Sequence, residues 1–428
     1  MNLTRRAFLQ LSGASAMAGG WPLGSRPRMV FRPAGYDLAG DILISIFLRG
    51  AMDGLSAVVP HAEARYHQLR SSTRIPDPDQ TDGAIDLDGF FGLHPALEPL
   101  KDIYTQQDLA IVHASGSPHP SRSHFEAQDF MERGAPGDTS VRTGWIARHL
   151  DSMTSTNDSP FRALGWGNLQ QLSLFGPVEA LSMKSIEAFN LNANETEAAR
   201  VKVALQAFYG RESELDAVGQ KIFSSFDFLT EANPAQYEPQ HGASYAETGF
   251  AQGMKQIGQI IRANMGLEAV AIDINGWDTH AAQGGVQGPL ANLLQELAGG
   301  LSAFYTDMQD DMHRITVVVM SEFGRRAQEN ASKGTDHGHG NAMFLMGGGV
   351  NGGKVYGAWP GLADEALDRG DLAVTTDYRT ILSEIVKKRL LNGHLSLVFP
   401  NFQQTAFLGV VEDRALSFDY RQFLPNIW

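Results

Sequence analysis

The chain contains no cysteine in 428 residues. Disulfides, thiolate metal ligands, a cysteine nucleophile, a lipidated cysteine and a cysteine-derived formylglycine are all excluded, whatever compartment the protein occupies. Any metal must be held by histidines and carboxylates, and any hydrolysis falls to a serine or to water. Basic residues are scarce too: 34 Lys and Arg face 48 Asp and Glu, a formal net charge of −14. Binding a polyphosphate backbone needs concentrated cationic surface, so no nucleic-acid partner is expected. No window approaches the roughly 20 apolar residues needed to span a bilayer, so no transmembrane anchor is expected. The length suits one large or two ordinary domains, and no internal repeat or long low-complexity run divides it.

The first residues, Thr4-Arg5-Arg6-Ala7-Phe8-Leu9-Gln10, place paired arginines before a short apolar stretch from Leu9 to Gly20. This resembles a bacterial twin-arginine export signal. Ala14-Ser15-Ala16 or Ala16-Met17-Ala18 supplies small residues for cleavage. The reading is a signal peptide at 1–20, a linker at 21–40 and one domain at 41–428, soluble in the periplasm after engaging the twin-arginine machinery. Removing the signal takes away two arginines and no acid, which makes the remainder more acidic still.

Short runs rich in β-branched residues recur along the domain: Ile42 to Leu48, Leu109 to Val112, Ala269 to Ile274, Ile315 to Met320 and Ala342 to Met346. They read as parallel strands buried on both faces. Helical periodicity marks Pro289 to Tyr305 and Tyr378 to Leu391, the second capped by Thr376 and stopped by Asn392-Gly393. The pattern predicts an α/β fold, a doubly wound, mostly parallel sheet flanked by helices. Residues from about 192 to 266 lack the strand-loop pattern and read as a helical insertion.

Ligands of open α/β sheets bind beyond the carboxyl ends of the strands, so the residues after each run are the candidates. Asp53 follows the first run in a glycine-flanked turn. Arg122, Ser123 and His124 follow the second, with Ser117 behind them, and Ser123 with Glu126 fits a capping box. Asp278 and His280 follow the third and Glu322 the fourth, while Asp336, His337 and His339 lie just before the fifth. These imidazole and carboxylate sets suit a divalent metal: Zn first, with Mn, Mg, Ca or Fe as alternatives. Each residue also admits a plain role. Asp53 serves equally as a turn former, Ser123 as a helix cap, His124 as an ordinary helix residue, and Glu322 as a partner of Arg325 or Arg326.

Taken together and in order, the twin-arginine start, Arg49-Gly50-Ala51-Met52-Asp53-Gly54, Ser121-Arg122-Ser123-His124-Phe125, Gly276-Trp277-Asp278-Thr279-His280, Ser321-Glu322-Phe323-Gly324-Arg325 and Asp336-His337-Gly338-His339-Gly340 resemble the bacterial family called domain of unknown function 1501. That family is similar to the alkaline phosphatase and sulfatase superfamily. The resemblance implies a doubly wound fold, one or two divalent metals, and a nucleophile at a helix start. Asp53 is then a metal ligand beside the nucleophile Ser123, Asp278 and His280 form a second ligand group, and His337 or His339 a later one. Glu322 stands where the superfamily has an Asp-His pair, with Phe323 in the place of the histidine. Pro118 stands where sulfatases carry the modified residue. The implied activity is metal-dependent hydrolysis of a phosphate or sulfate ester, small or envelope-derived, with Arg122 neutralising ester oxygens and His124 transferring a proton. An inactive superfamily member serving as a periplasmic binding or assembly protein is the alternative.

Overall fold

In the computed structural model of the protein, residues 40–186, 237–404 and 406–414 are described. The signal and most of the linker lie outside them, as do residues 192–236 of the expected helical insertion.

Twelve strands are present among these residues. Nine form the central sheet: β1 (Ile42–Arg49), β5 (Leu109–Gly116), β6 (Ala163–Trp166), β7 (Leu181–Met183), β8 (Ala269–Asn275), β9 (Ile315–Met320), β10 (Asn341–Gly347), β11 (Lys354–Tyr356) and β12 (Thr376–Asp377). Their order is β11-β5-β10-β9-β1-β8-β6-β7, with β12 beside β5. β2 (Val58–Val59), β3 (Ile85–Asp86) and β4 (Gly92–Leu93) make a small separate sheet. All five predicted runs are central strands, but β10 is antiparallel to both its neighbours, β5 and β9. An apolar run buried on both faces reads alike in either direction, so its sense is invisible in the sequence.

Strand periodicity divides the core. In β1, Ile42, Ile44, Ile46 and Leu48 point into one apolar cluster, and Leu43 and Phe47 into another across the sheet. β9 repeats this with Ile315, Val317 and Val319 against Val318 and Met320. A strand whose successive side chains alternate between faces, both apolar, must be covered on both. Helices among the described residues include α1 (Gly54–Ala57), α2 (His124–Arg133), α3 (Trp145–Asp151), α4 (Gly249–Arg262), α5 (Pro289–Asp307) and α6 (Tyr378–Lys388). α4 and α5 cover the first face: Leu290, Leu294, Leu297, Leu301 and Phe304 recur at helical spacing and are all buried. α3 and α6 cover the second through Trp145, Ile146, Ile381 and Ile385. α4, placed inside the expected insertion, thus belongs to the main core.

Local departures have local causes. α6 is capped by Asp377, whose Oδ1 accepts from Arg379 N at 2.9 Å, not by Thr376, which pairs in β12. α6 also ends at Lys388, before the predicted stop. β5 continues through His113 to Gly116 because β10 and β12 pair with its extension, so His113 is a strand residue rather than a loop residue.

His113 and His149 make folding sensitive to acid. His113 donates from Nε2 to Val58 O (3.0 Å) and accepts at Nδ1 from Ala114 N (2.8 Å), bonds the buried ring makes together only when neutral. Burial pushes its pKa down to about 4. Burial likewise pushes His149 down to about 3, its Nδ1 facing the Asn392 amide at 3.0 Å. The unfolded chain binds these two protons near pH 6.5 while the native chain refuses them until far lower pH. Stability contributed by the neutral rings is therefore complete above about pH 6.5 and falls by up to about 1.4 kcal/mol per unit per histidine as pH drops toward 4. Urea midpoints between pH 7 and pH 4.5 check this: His113→Gln should show a shallower fall than wild type, and parallel slopes contradict it.

Candidate metal centre

The loops after β1, β5, β8 and β9 and the loop entering β10 meet at one edge of the sheet. Because β10 is antiparallel, its first residue lies at the carboxyl edge of the others, which brings residues 334–340 to the same place. Beyond the sheet, Gly338 N donates to Gly324 O at 2.9 Å and Gly324 N to His339 O at 2.8 Å, so the strand pair continues into the site. Gly338 lets this happen, since a Cβ there would sit 2.3 Å from the Arg325 carbonyl carbon.

Three imidazoles converge on one carboxylate oxygen at this edge. Asp278 Oδ1 lies 3.0 Å from His280 Nε2, 3.3 Å from His337 Nε2 and 3.5 Å from His124 Nε2. The ligand atoms of His124, Asp278 and His337 all lie within 4.8 Å of one another. The Nε2 atoms of His280 and His337 approach to 2.9 Å. His124 Nε2 is buried and has no hydrogen-bond partner.

Each ring is oriented from behind. His124 Nδ1–H donates to Glu322 Oε1 at 2.7 Å, His280 Nδ1–H to Asp336 Oδ1 at 3.1 Å, and His337 Nδ1–H to the Arg122 carbonyl at 2.8 Å. A histidine whose Nδ1–H is so engaged turns the Nε2 lone pair forward, the arrangement found around protein-bound metals. The donor set of three imidazoles and one carboxylate fits a Zn-like cation, and an imidazole-rich set suits Mg or Ca poorly.

The electrostatics agree with the geometry. For Glu322, burial works to raise the pKa, but the bonds from His124 and Gln128 and the Gly50 N–H carry it below the usual carboxylate range. The same bond to Glu322 raises the pKa of His124 against the opposing effect of burial. Burial and then the neighbouring His124 lower that of His337, keeping its lone pair available. Asp278 is held low despite burial by the Arg325 guanidinium, whose Nη2 donates to Oδ1 at 2.7 Å.

The expected ligands are thereby sorted. Asp278, His280 and His337 come together, and His124 joins them through its ring nitrogen. Glu322 and Asp336 stand one bond behind, holding His124 and His280, and Glu322 pairs with neither Arg325 nor Arg326. Asp53 lies outside the cluster: fully buried, it takes a two-pronged ion pair from Arg70, with Arg70 Nη2 at 3.0 Å from Oδ1, and accepts from Ser56 Oγ (2.9 Å) and Gln283 Nε2 (2.7 Å). His339 turns away, its nitrogens facing Asp368 Oδ2 (3.1 Å) and Ser117 O (2.9 Å). The Arg122 guanidinium is paired with the buried Asp371. Ser123 is exposed ahead of α2 without capping it; Ser121 rather than Ser123 bonds Glu126. Phe323 packs its buried ring against His124 (centroids 5.1 Å, 27°) and His337 (5.2 Å), and so supports two rings of the cluster.

Sequence reasoning missed Arg325, Arg70, Gln128 and Gln283. Arg325 is buried and donates to the carbonyls of Ala51 (2.8 Å), Gly50 (2.5 Å), Trp277 (3.0 Å) and Thr335 (2.9 Å) as well as to Asp278. Its place in Ser321-Glu322-Phe323-Gly324-Arg325 was the available signal. Gln283, which links Asp53 to Thr279 and Thr335, carried none.

Solved structures with which the chain aligns include the C-terminal periplasmic domain of EcEptC from Escherichia coli in complex with Zn, at 11% identity over 86% of this chain and 89% of that one with a TM-score of 0.37. They also include alkaline phosphatase from the Antarctic bacterium TAB5, at 12% identity over 72% and 92% with a TM-score of 0.27. A third is the PsFucS1 sulfatase from Pseudoalteromonas sp., at 8% identity over 74% and 64% with a TM-score of 0.32. No curated relative matches the chain. Residues 41–398 match the family described as "Protein of unknown function (DUF1501)", and the chain belongs to that family.

Proposed function

We propose that the protein is an exported hydrolase of phosphate or sulfate esters that works with one divalent cation, Zn first, held by His124, Asp278, His280 and His337. The observation that carries this reading is the convergence of three Nε2 atoms on Asp278 Oδ1, each imidazole oriented by an acceptor of its own. When bound, such a cation supplies Lewis acidity to an anionic ester. Asp53 does not supply a second centre, because Arg70 already balances its charge. Asp278 and His280 are each more than 40% exposed at the side chain, which leaves an approach for substrate.

The attacking group is Ser123, exposed at the start of α2 and adjacent in sequence to His124. Its hydroxyl oxygen bonds to phosphorus or sulfur as the bond to the ester oxygen breaks, the hydroxyl proton leaving with the departing alcohol, and water then hydrolyses the serine ester to complete turnover. Arg122 and Arg326, both paired to Asp371 and about a third exposed, lie beside this approach through the Arg122 carbonyl on His337 and the Arg326 amide on the Asp336 carbonyl. Export through the twin-arginine route to the periplasm follows the residue pattern of the first twenty positions. No helix of the described residues is long and apolar enough to cross a membrane. A non-catalytic binding or assembly role draws on one observation: the Arg122 charge is already satisfied by Asp371.

Metal analysis of the full chain should find about one equivalent of Zn or a similar cation, and competition with a chelator should show the affinity lowered about 10-fold or more by Asp278→Asn or His337→Ala, since lost ligands and their partners weaken metal sites by at least that factor. Protein that stays metal-free after incubation with Zn, Mn or Fe overturns the metal reading. Ser123→Ala should leave metal content unchanged and lower turnover of aryl phosphates or aryl sulfates by about 10³-fold or more. Full turnover in that variant removes Ser123 from the chemistry, and an inert wild type loaded with metal favours the binding role.

A further inference from the structure

Resting on the metal reading above, we propose that Gln128 and Arg49 are positioning residues for His124, acting through Glu322 although neither belongs to the cluster. His124, Gln128 and Glu132 recur every four residues along α2 and so share one face of it. Arg49, the last residue of β1, lies against that face: its Nη1 is 3.0 Å from Glu132 Oε2 and its Nε is 2.9 Å from Asp273 Oδ2. Glu132 is buried, so these two acids hold the guanidinium in place. Arg49 Nη1 also donates to Gln128 Oε1 at 3.2 Å.

A guanidinium has donors and no acceptor. Gln128 must therefore turn its carbonyl oxygen to Arg49, which directs its amide nitrogen to Glu322 Oε1 at 2.9 Å. The same oxygen accepts from Gly50 N at 2.9 Å and from His124 Nδ1 at 2.7 Å, while Oε2 faces Ser321 Oγ at 3.0 Å. Glu322 is buried, and a buried carboxylate is fixed by the donors it is given. The turn of the Gln128 amide thus follows from Arg49 on one side and Glu322 on the other, and the chain of contacts ends at the His124 Nε2 atom, buried and without a hydrogen-bond partner, turned toward Asp278. A flipped or missing Gln128 amide leaves Glu322 Oε1 with only the Gly50 N–H and the His124 ring as donors, which loosens the carboxylate and the orientation it gives His124.

The experiment measures Zn affinity of the full chain by competition with a chromophoric chelator, the visible absorption spectrum of the Co(II)-loaded protein, and the melting temperature of the apoprotein. Gln128→Leu and Arg49→Met should each weaken Zn binding about 10–100-fold and alter the Co(II) bands. Arg49→Lys, which keeps a cationic donor, should recover part of that loss. In the Gln128→Leu background Arg49→Met should weaken binding no further, because Arg49 acts through Gln128. Gln128→Met serves as a second variant should Gln128→Leu fail to fold. Wild-type affinity and unchanged bands in both position-128 variants overturn the proposal while leaving the metal centre standing, as does full additivity of the two substitutions. A wild-type chain that binds neither Zn nor Co(II) overturns the metal reading and this proposal with it.

Discussion

The arrangement at the sheet edge depends on one buried cation, the Arg325 guanidinium. It cannot lose its charge and can only donate, so burial obliges its surroundings to supply acceptors all round it. Gly50 and Ala51 after β1, Trp277 and Asp278 after β8, and Thr335 before β10 each supply one. Three loops that belong to different strands are thereby fixed to one another by a single side chain, and charge-assisted bonds of this kind are stronger than neutral ones. The close approach this demands explains Gly50: at φ 118°, with Asp278 N 2.7 Å from where a Cβ would be, no other residue fits. The same guanidinium holds Asp278 ionised and aimed at the histidines, so the site's one shared carboxylate is oriented by the group that orders the loops.

The antiparallel sense of β10 is the second constraint. Had it run with its neighbours, residues 334–340 would lie at the far edge of the sheet and His337 would be a strand length from Asp278. Running against β9, it forms with that strand a continuous pair whose connecting loop lies over the edge where ligands bind in such sheets. Arg325 and His337 face each other across this extension as an isolated antiparallel bridge. The cation that orders the loops and a histidine of the cluster are thus paired backbone neighbours, 12 residues apart in sequence.

How much of this the sequence carries depends on whether the information is local. Alternation of buried faces is local, and β1, β8 and β9 are legible almost to the residue from their apolar runs. Donor chemistry is local too: Asp278, His280 and His337 announce themselves as imidazoles and a carboxylate between glycines. What is not local is which acid meets which base. Asp53 looks as good a ligand as Asp278 until Arg70 is folded onto it. His339 stands two residues from His337, a spacing that in a regular strand would put both rings on one face, but the chain bends at His339 and turns its ring to Asp368 and the Ser117 carbonyl instead, a departure the residue pattern does not announce. His124, read as a proton-transfer candidate, joins the cluster because Glu322, distant in sequence, takes its Nδ1–H. Strand direction likewise leaves no trace in a run buried on both faces.

Charge accounts for the division of labour among the acids. The chain carries a large acidic excess, and in an acidic protein a buried carboxylate without a partner is strongly unfavourable. Asp53 is balanced by Arg70 and Asp371 by Arg122, and neither has charge to spare. Around the histidines the balance is different: Asp278, Glu322 and Asp336 gather beside the buried Arg325, and Arg326, which acts on Asp336, is shared with Asp371. With the imidazoles neutral the site carries an excess of negative charge. Protonating the imidazoles reduces that excess, as a bound cation does, so proton and metal compete for the same nitrogens. The acids behind His124 and His280 therefore do more than point the rings: they set the negative charge of the site and with it the terms on which protons and cations compete for the ring nitrogens.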